Sequence, residues 1–164
     1  MNPINIPIAE DISNHFNGYE LFLATYNKLK SIKNQHVIFD FSENRRLEAN
    51  LCAIFGALLE MTQSNQNTFE FKNLTPSLYQ LFDSNGFLRL LNKEQIFKPH
   101  SNMLTYQKYK PNDGAIFKDY INNELLLKPD FPKHSEKLGK EITKSIFEIY
   151  ENARTHGKCN FIHV

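Results

Sequence analysis

Val37-Ile38-Phe39-Asp40-Phe41 is followed by a seventeen-residue segment from Leu47 to Gln63 and then by Thr68-Phe69-Glu70-Phe71. The first run is short, β-branched and aromatic, so it reads as a buried strand whose end carries Asp40 and Ser42 into a loop. Asp40 and Ser42 are read as turn formers before catalysts. In the middle segment Leu47, Leu51, Ile54, Phe55, Leu58 and Leu59 recur at helical spacing on one broad apolar face. The link Ser64-Asn65-Gln66-Asn67 is polar, and the aromatic alternation after it predicts a second strand. Strand, helix, strand implies a crossover and hence a largely parallel sheet, which places the chain in the α/β class.

Working outward, Thr75-Pro76 supplies an N-cap and a proline at the first helical position. The helix runs through Leu78, Leu81 and Phe82 to a stop at Asn85-Gly86. Upstream, Asn5 to Ile8 reads as an edge strand, because Pro7 cannot donate to a central ladder. Gly18 to Lys33 reads as a surface helix on the spacing of Tyr19, Leu23, Tyr26, Leu29 and Lys30. Asn92 to His100 has little periodicity and contains Pro99, so the domain boundary is expected there, giving units 1–98 and 99–164.

In the second unit Met103 to Tyr109 alternates in part and predicts a first strand. Ala115 to Leu127 reads as a helix with Phe117, Tyr120, Ile121 and Leu125 inward, broken by the connector Lys128-Pro129-Asp130-Phe131-Pro132. Ser135 to His156 reads as a long helix, broken or weakened at Gly139, and Cys159 to Val164 as an apolar strand. Within the long helix Ile142, Ile146, Ile149 and Ala153 are expected to form the buried stripe. Glu148 and Asn152, one turn apart, share a different face. A carboxylate can take a proton or orient a water, and an amide oxygen can help hold a hard cation such as Mg2+. Two polar residues on a solvated helix face are the plainer reading of the same pair.

Composition narrows the function classes. The chain has 164 residues, 41 % hydrophobic and 23 % charged, enough for one domain and part of another. A formal net charge of +1 provides no field for nucleic acid or an anionic membrane. No stretch approaches the roughly 20 apolar residues of a spanning helix, and Met1-Asn2-Pro3-Ile4 does not open a signal peptide, so a cytoplasmic protein is expected. Cys52, inside an apolar run, reads as a small core residue of a reducing compartment. His156, Cys159 and His163 offer three zinc ligands at a spacing that matches no common finger. The 14 Phe and 7 Tyr lie at core spacing, without the basic groove that a single-strand-binding platform also needs.

Two resemblances add to this reading. From Val37 to Leu91 the order of elements, with Leu74 to Leu88 leading into a turn between apolar residues, resembles the STAS domain of bacterial anti-anti-sigma factors. That family's switch is an Asp-Ser-Ser-Gly turn at the start of the long helix, which here falls on Glu48-Ala49-Asn50-Leu51. Asn50 has no hydroxyl to accept a phosphate, so the resemblance implies a fixed docking or dimerising unit, with Ser42 and Ser84 as substitute sites. Phe147 to Gly157, reading Phe-Glu-Ile-Tyr-Glu-Asn-Ala-Arg-Thr-His-Gly, resembles the first ATP-site motif of the GHKL superfamily of ATPases, histidine kinases and anti-sigma serine kinases. This implies that Asn152 is a cofactor-binding residue that contacts the Mg2+ of Mg-ATP. It also implies that Glu148 is the catalytic residue polarising the attacking group.

The same family uses a downstream Asp-x-Gly-x-Gly segment and a glycine-rich lid. The six glycines here, at 18, 56, 86, 114, 139 and 157, are too far apart for a phosphate-cradling loop. The expectation is therefore a STAS-like sheet with helices followed by an incomplete α/β sandwich of GHKL type, the N-terminal part of a bacterial regulatory protein. Mg-ATP is expected only for a complete domain. A protein partner of the regulatory or sigma-factor-pathway type is implied, and self-association as a homodimer is left open. The alternative is a non-enzymatic interaction protein in which no nucleotide binds.

Overall fold

The computed structural model describes residues 2–164 and divides into two compact units, 1–98 and 99–164. The class is mixed α/β. In the first unit β1 (Ile4–Pro7), β3 (His36–Asp40) and β5 (Thr68–Lys72) form a parallel sheet in the order β1-β3-β5, with Val37 beside Ile4 and Phe69. Pro7 closes an edge strand, where its missing N–H costs the ladder nothing. Helices α1 (Phe16–Leu29) and α2 (Cys52–Ser64) make the crossovers, and α3 (Pro76–Ser84) follows β5.

Phenylalanines fill the core between helices and sheet. The Phe55 ring meets Phe39 edge-on at 5.3 Å and stacks on Phe71 at 5.4 Å and Phe87 at 5.5 Å. Offset and edge-on ring pairs of this kind stabilise by about 0.5–1.5 kcal/mol each beyond the apolar area they bury. The opposite face of the sheet is polar, with Glu70 between His36 at 3.4 Å and Lys72 at 3.1 Å. Lys72, then His36, holds the Glu70 carboxyl below its ordinary range.

Thr75 caps α3 as its sequence predicts: the Leu78 amide donates to the Thr75 hydroxyl at 3.3 Å, with Pro76 at the first position. The helix read from Leu47 begins later. Arg46–Leu47 is a short strand, β4, parallel to β2 (Asp11–Ile12), and a 3-10 turn over Ala49–Leu51 leads into α2. Leu47 is buried in β4, so its apolar character marked burial and not helix.

Helix α1 forms where its spacing predicts, starting two residues earlier and ending at Leu29. Its inward stripe is Gly18, Phe22, Thr25 and Leu29; Tyr19, Leu23 and Tyr26 face out. Gly18 fixes that rotation, since a Cβ there would stand 2.0 Å from the Ser13 carbonyl oxygen.

The second unit is built on aromatic residues. Strands β6 (Lys108–Tyr109) and β7 (Ile162–His163) pair antiparallel, each shorter than the run of apolar residues around it. Helix α4 (Gly114–Tyr120) continues as a π turn over Ile121–Leu125, and α5 spans Glu136–His156. The core is Tyr109, Phe117, Tyr120, Ile121 and Tyr150. Its hydroxyls are satisfied where described: Tyr150 donates to the Lys110 carbonyl at 2.7 Å and Tyr120 to the Thr105 carbonyl at 3.0 Å. Helix α5 runs unbroken through Gly139. A Cβ at Gly139 would stand 2.9 Å from the His134 ring, so the glycine admits that ring against the helix.

Candidate functional site

Helix α5 places the sequence-predicted pair. Its start is set by Ser135, whose hydroxyl accepts the Leu138 amide at 3.2 Å, and its inward face by Gly139, Ile146, Phe147 and Tyr150. That face corrects the expected Ile142, Ile146, Ile149, Ala153 stripe. Ile149 is 69 % exposed, while Tyr150, one residue and about 100° further round the helix, is buried. Burying Tyr150 removes more apolar area from water than burying Ile149 and adds ring stacking, so the helix turns that way.

Glu148 and Asn152 consequently lie on the solvent face, both exposed. Neither side chain has a hydrogen bond or ion pair among the described residues. Beside them Ile149 is also exposed. The adjoining Glu151 is differently engaged, taking Arg154 through two nitrogens at 2.6 and 3.1 Å. That hydrogen bonding lowers the Glu151 carboxyl and raises the Arg154 guanidinium from their ordinary ranges. An open groove of about 400 Å³ runs along the other flank of α5, past Lys118, Phe147, Glu151 and Arg154. Glu148 and Asn152 do not line it.

His156, Cys159 and His163 are not brought together. Cys159 lies against the Ala153 carbonyl, and the His163 ring shares a 2.6 Å hydrogen bond with the Tyr106 hydroxyl. Among the described residues no three His, Cys, Asp or Glu side chains converge as a metal site. Cys52 is buried, its thiol pushed up to about 12 by desolvation, with the Asn85 amide 3.2 Å from its sulfur. A thiol so held is a poor nucleophile.

At the start of α2, Asn50 is exposed in the 3-10 turn. Of the two substitute serines, Ser84 is 2 % exposed and Ser42 is open to solvent. Ser42 donates its backbone N–H to Asp40, which also accepts from Asn73 at 2.8 Å. Asn73, then Ser42, lowers the Asp40 carboxyl. This Asp40, Ser42, Asn73 cluster at the carboxyl end of the sheet is a turn lock, as read for the first two. Asn73 was missed because its partner lies 33 residues away.

Sequence reading also passed over Asn44. It is 1 % exposed and ties the β1–β2 link to β4 through the Ala9 and Arg46 carbonyls. The only signal for it was an asparagine beside a predicted strand end. No helix among the described residues is long and apolar enough to cross a membrane. Comparison of the chain with protein-family models, curated proteins and solved structures finds no match in any of the three.

Proposed function

We propose that the chain is part of a regulatory protein in which a STAS-like module, residues 1–98, is joined to the helix-bearing part of a GHKL-type ATP-binding module, residues 99–164. One observation carries the reading. Glu148 and Asn152 stand one turn apart on α5, exposed and without partners among the described residues, beside the uncovered Ile149 side chain. Such a face suits a ligand or further polypeptide laid over it.

The residues fit two positions of that module and leave others unfilled. The Asn152 amide oxygen is a hard ligand of the kind Mg2+ takes. The Glu148 carboxylate can orient a hydroxyl or water and accept its proton. The described residues offer no phosphate cradle, and one amide with one carboxylate supplies neither adenine contacts nor the N–H groups that hold phosphates. Bound Mg-ATP would supply a phosphoryl group for transfer. In the STAS-like unit Asn50 stands where the family's phosphoserine would be, which makes that surface a constant docking site for a protein partner.

Calorimetric titration with Mg-ATP tests this. The chain alone should bind no tighter than about millimolar, because most of the binding groups are lacking. A polypeptide carrying an Asp-x-Gly-x-Gly segment after residue 164 should bind in the micromolar range and lose that on Asn152→Ala. Micromolar binding by the 164-residue chain, or an Asn152→Ala variant that binds and turns over normally, would overturn the reading. One observation favours the interaction-protein alternative: neither residue of the pair lines a described groove. Failure of the extended protein to bind nucleotide would favour it.

A further inference from the structure

Helix α1 carries two apolar stripes. Gly18, Phe22, Thr25 and Leu29 face the core, whereas Phe16, Tyr19, Leu23 and Tyr26 are 73, 45, 60 and 44 % exposed. The outer four alternate steps of three and four residues, the spacing of a helix–helix seam. A second apolar stripe, about 100° round the helix from the first, is a further surface to bury. The outer stripe is one wall of a groove of about 360 Å³ whose other wall is Ile54, Ala57 and Met61 of α2. Its lining has no charged residue, and half of it is aromatic or methionine, types enriched at interface centres.

We infer that this groove is closed by a second copy of the chain, with the two α1 helices antiparallel across a two-fold axis. The charges beside the stripe select that occupant. Glu20 lies in its first half and Lys30 at its far end, where the ammonium is 2.9 Å from the Asn27 side-chain oxygen and above the Tyr26 ring. Glu20 has no ion-pair partner among the described residues. Turning one α1 end for end sets Leu23 opposite Tyr26 of the second copy. It also brings Glu20 within reach of Lys30 of the second copy, and symmetry repeats each contact. A surface acidic at one end and basic at the other is its own complement under that operation.

The test is the mass of the full chain by size-exclusion chromatography with light scattering, at about 100 μM, where mass action favours even a weak pair. The expected value is twice the 19.2 kDa of the single chain. Leu23→Glu should reduce it to 19.2 kDa with an unchanged circular dichroism spectrum, since the side chain lies outside the core. Glu20→Lys and Lys30→Glu should each weaken association on the order of tenfold, and the double variant should recover it. The double swap also decides the matter if Leu23→Glu misfolds. A monomer at this concentration, a dimer indifferent to Leu23→Glu, or a double swap that fails to recover the loss would overturn the inference; in the last two cases another face or another partner is indicated.

Discussion

The Phe117 and Tyr150 rings stack with centroids 4.8 Å apart and planes 18° from parallel, joining α4 to α5 at the centre of the second unit. This contact, together with the Tyr150 hydroxyl on the Lys110 carbonyl, decides which side of α5 is buried. Glu148 and Asn152 face outward as a consequence.

Tyr150→Ala should therefore destabilise the second unit by about 3–5 kcal/mol, the range for emptying a large aromatic site. Tyr150→Phe should cost about 0.5–1.5 kcal/mol, the net worth of one hydrogen bond, because the Lys110 carbonyl keeps the Asp113 amide as a donor. Ile149→Ala should stay within about 0.5 kcal/mol, as for other exposed positions. Urea unfolding of the three variants checks the order; an Ile149→Ala loss larger than that of Tyr150→Ala would restore the isoleucine stripe.

Glu148→Ala and Asn152→Ala should each change stability by less than about 0.5 kcal/mol, since both side chains are exposed and unpartnered. Thermal unfolding of both variants would show it. In a nucleotide-binding extended protein, Asn152→Ala should then act on binding. Glu148→Ala should leave binding near its starting value and slow turnover, because an orienting carboxylate acts mainly in the transition state.

Incubation with ATP and an anti-sigma-type serine kinase, followed by mass-spectrometric mapping, should find no phosphate in residues 48–51, which include no hydroxyl side chain. Ser84 should also stay unmodified, being buried at the end of α3. Phosphate at Ser84 in the folded chain would contradict the packing described. A phosphate at the exposed Ser42 that altered partner binding would overturn the constant-docking reading.

Stability should fall in alkali. Burial pushes the Tyr120 hydroxyl and the Cys52 thiol up to about 12, from ordinary values of 10.0 and 9.0, and raises Tyr109 in the same direction. A raised folded-state value means that the neutral form stabilises the fold. Its contribution is complete below the unfolded values and is lost as pH climbs through the folded ones. Urea midpoints should thus be level up to about pH 9 and decline toward pH 12. Tyrosinate absorbance should report Tyr120 ionising together with unfolding. Normal titration of all tyrosines near pH 10 in a folded chain would contradict the burial.

Much of the local structure was legible because its causes lie within a few residues of one another. The strand at Val37, the Thr75-Pro76 cap, the Ser135 start of α5 and the buried Cys52 follow from side-chain type, capping hydroxyls and short periodicities. What lay beyond the sequence depends on partners far along the chain. Leu47 is a strand residue because Ile12 lies beside it, and the two longer apolar runs around β6 and β7 pair over 107–109 with 162–164. Helices α1 and α5 each carry two apolar stripes about one residue apart in rotation, and helical periodicity supports both equally. Packing chose between them: in α1 only Gly18 fits against the Ser13 carbonyl, which turns Phe22 onto Phe55, and in α5 Tyr150 meets Phe117, because a ring buried against another ring removes more surface from water than Ile149 would.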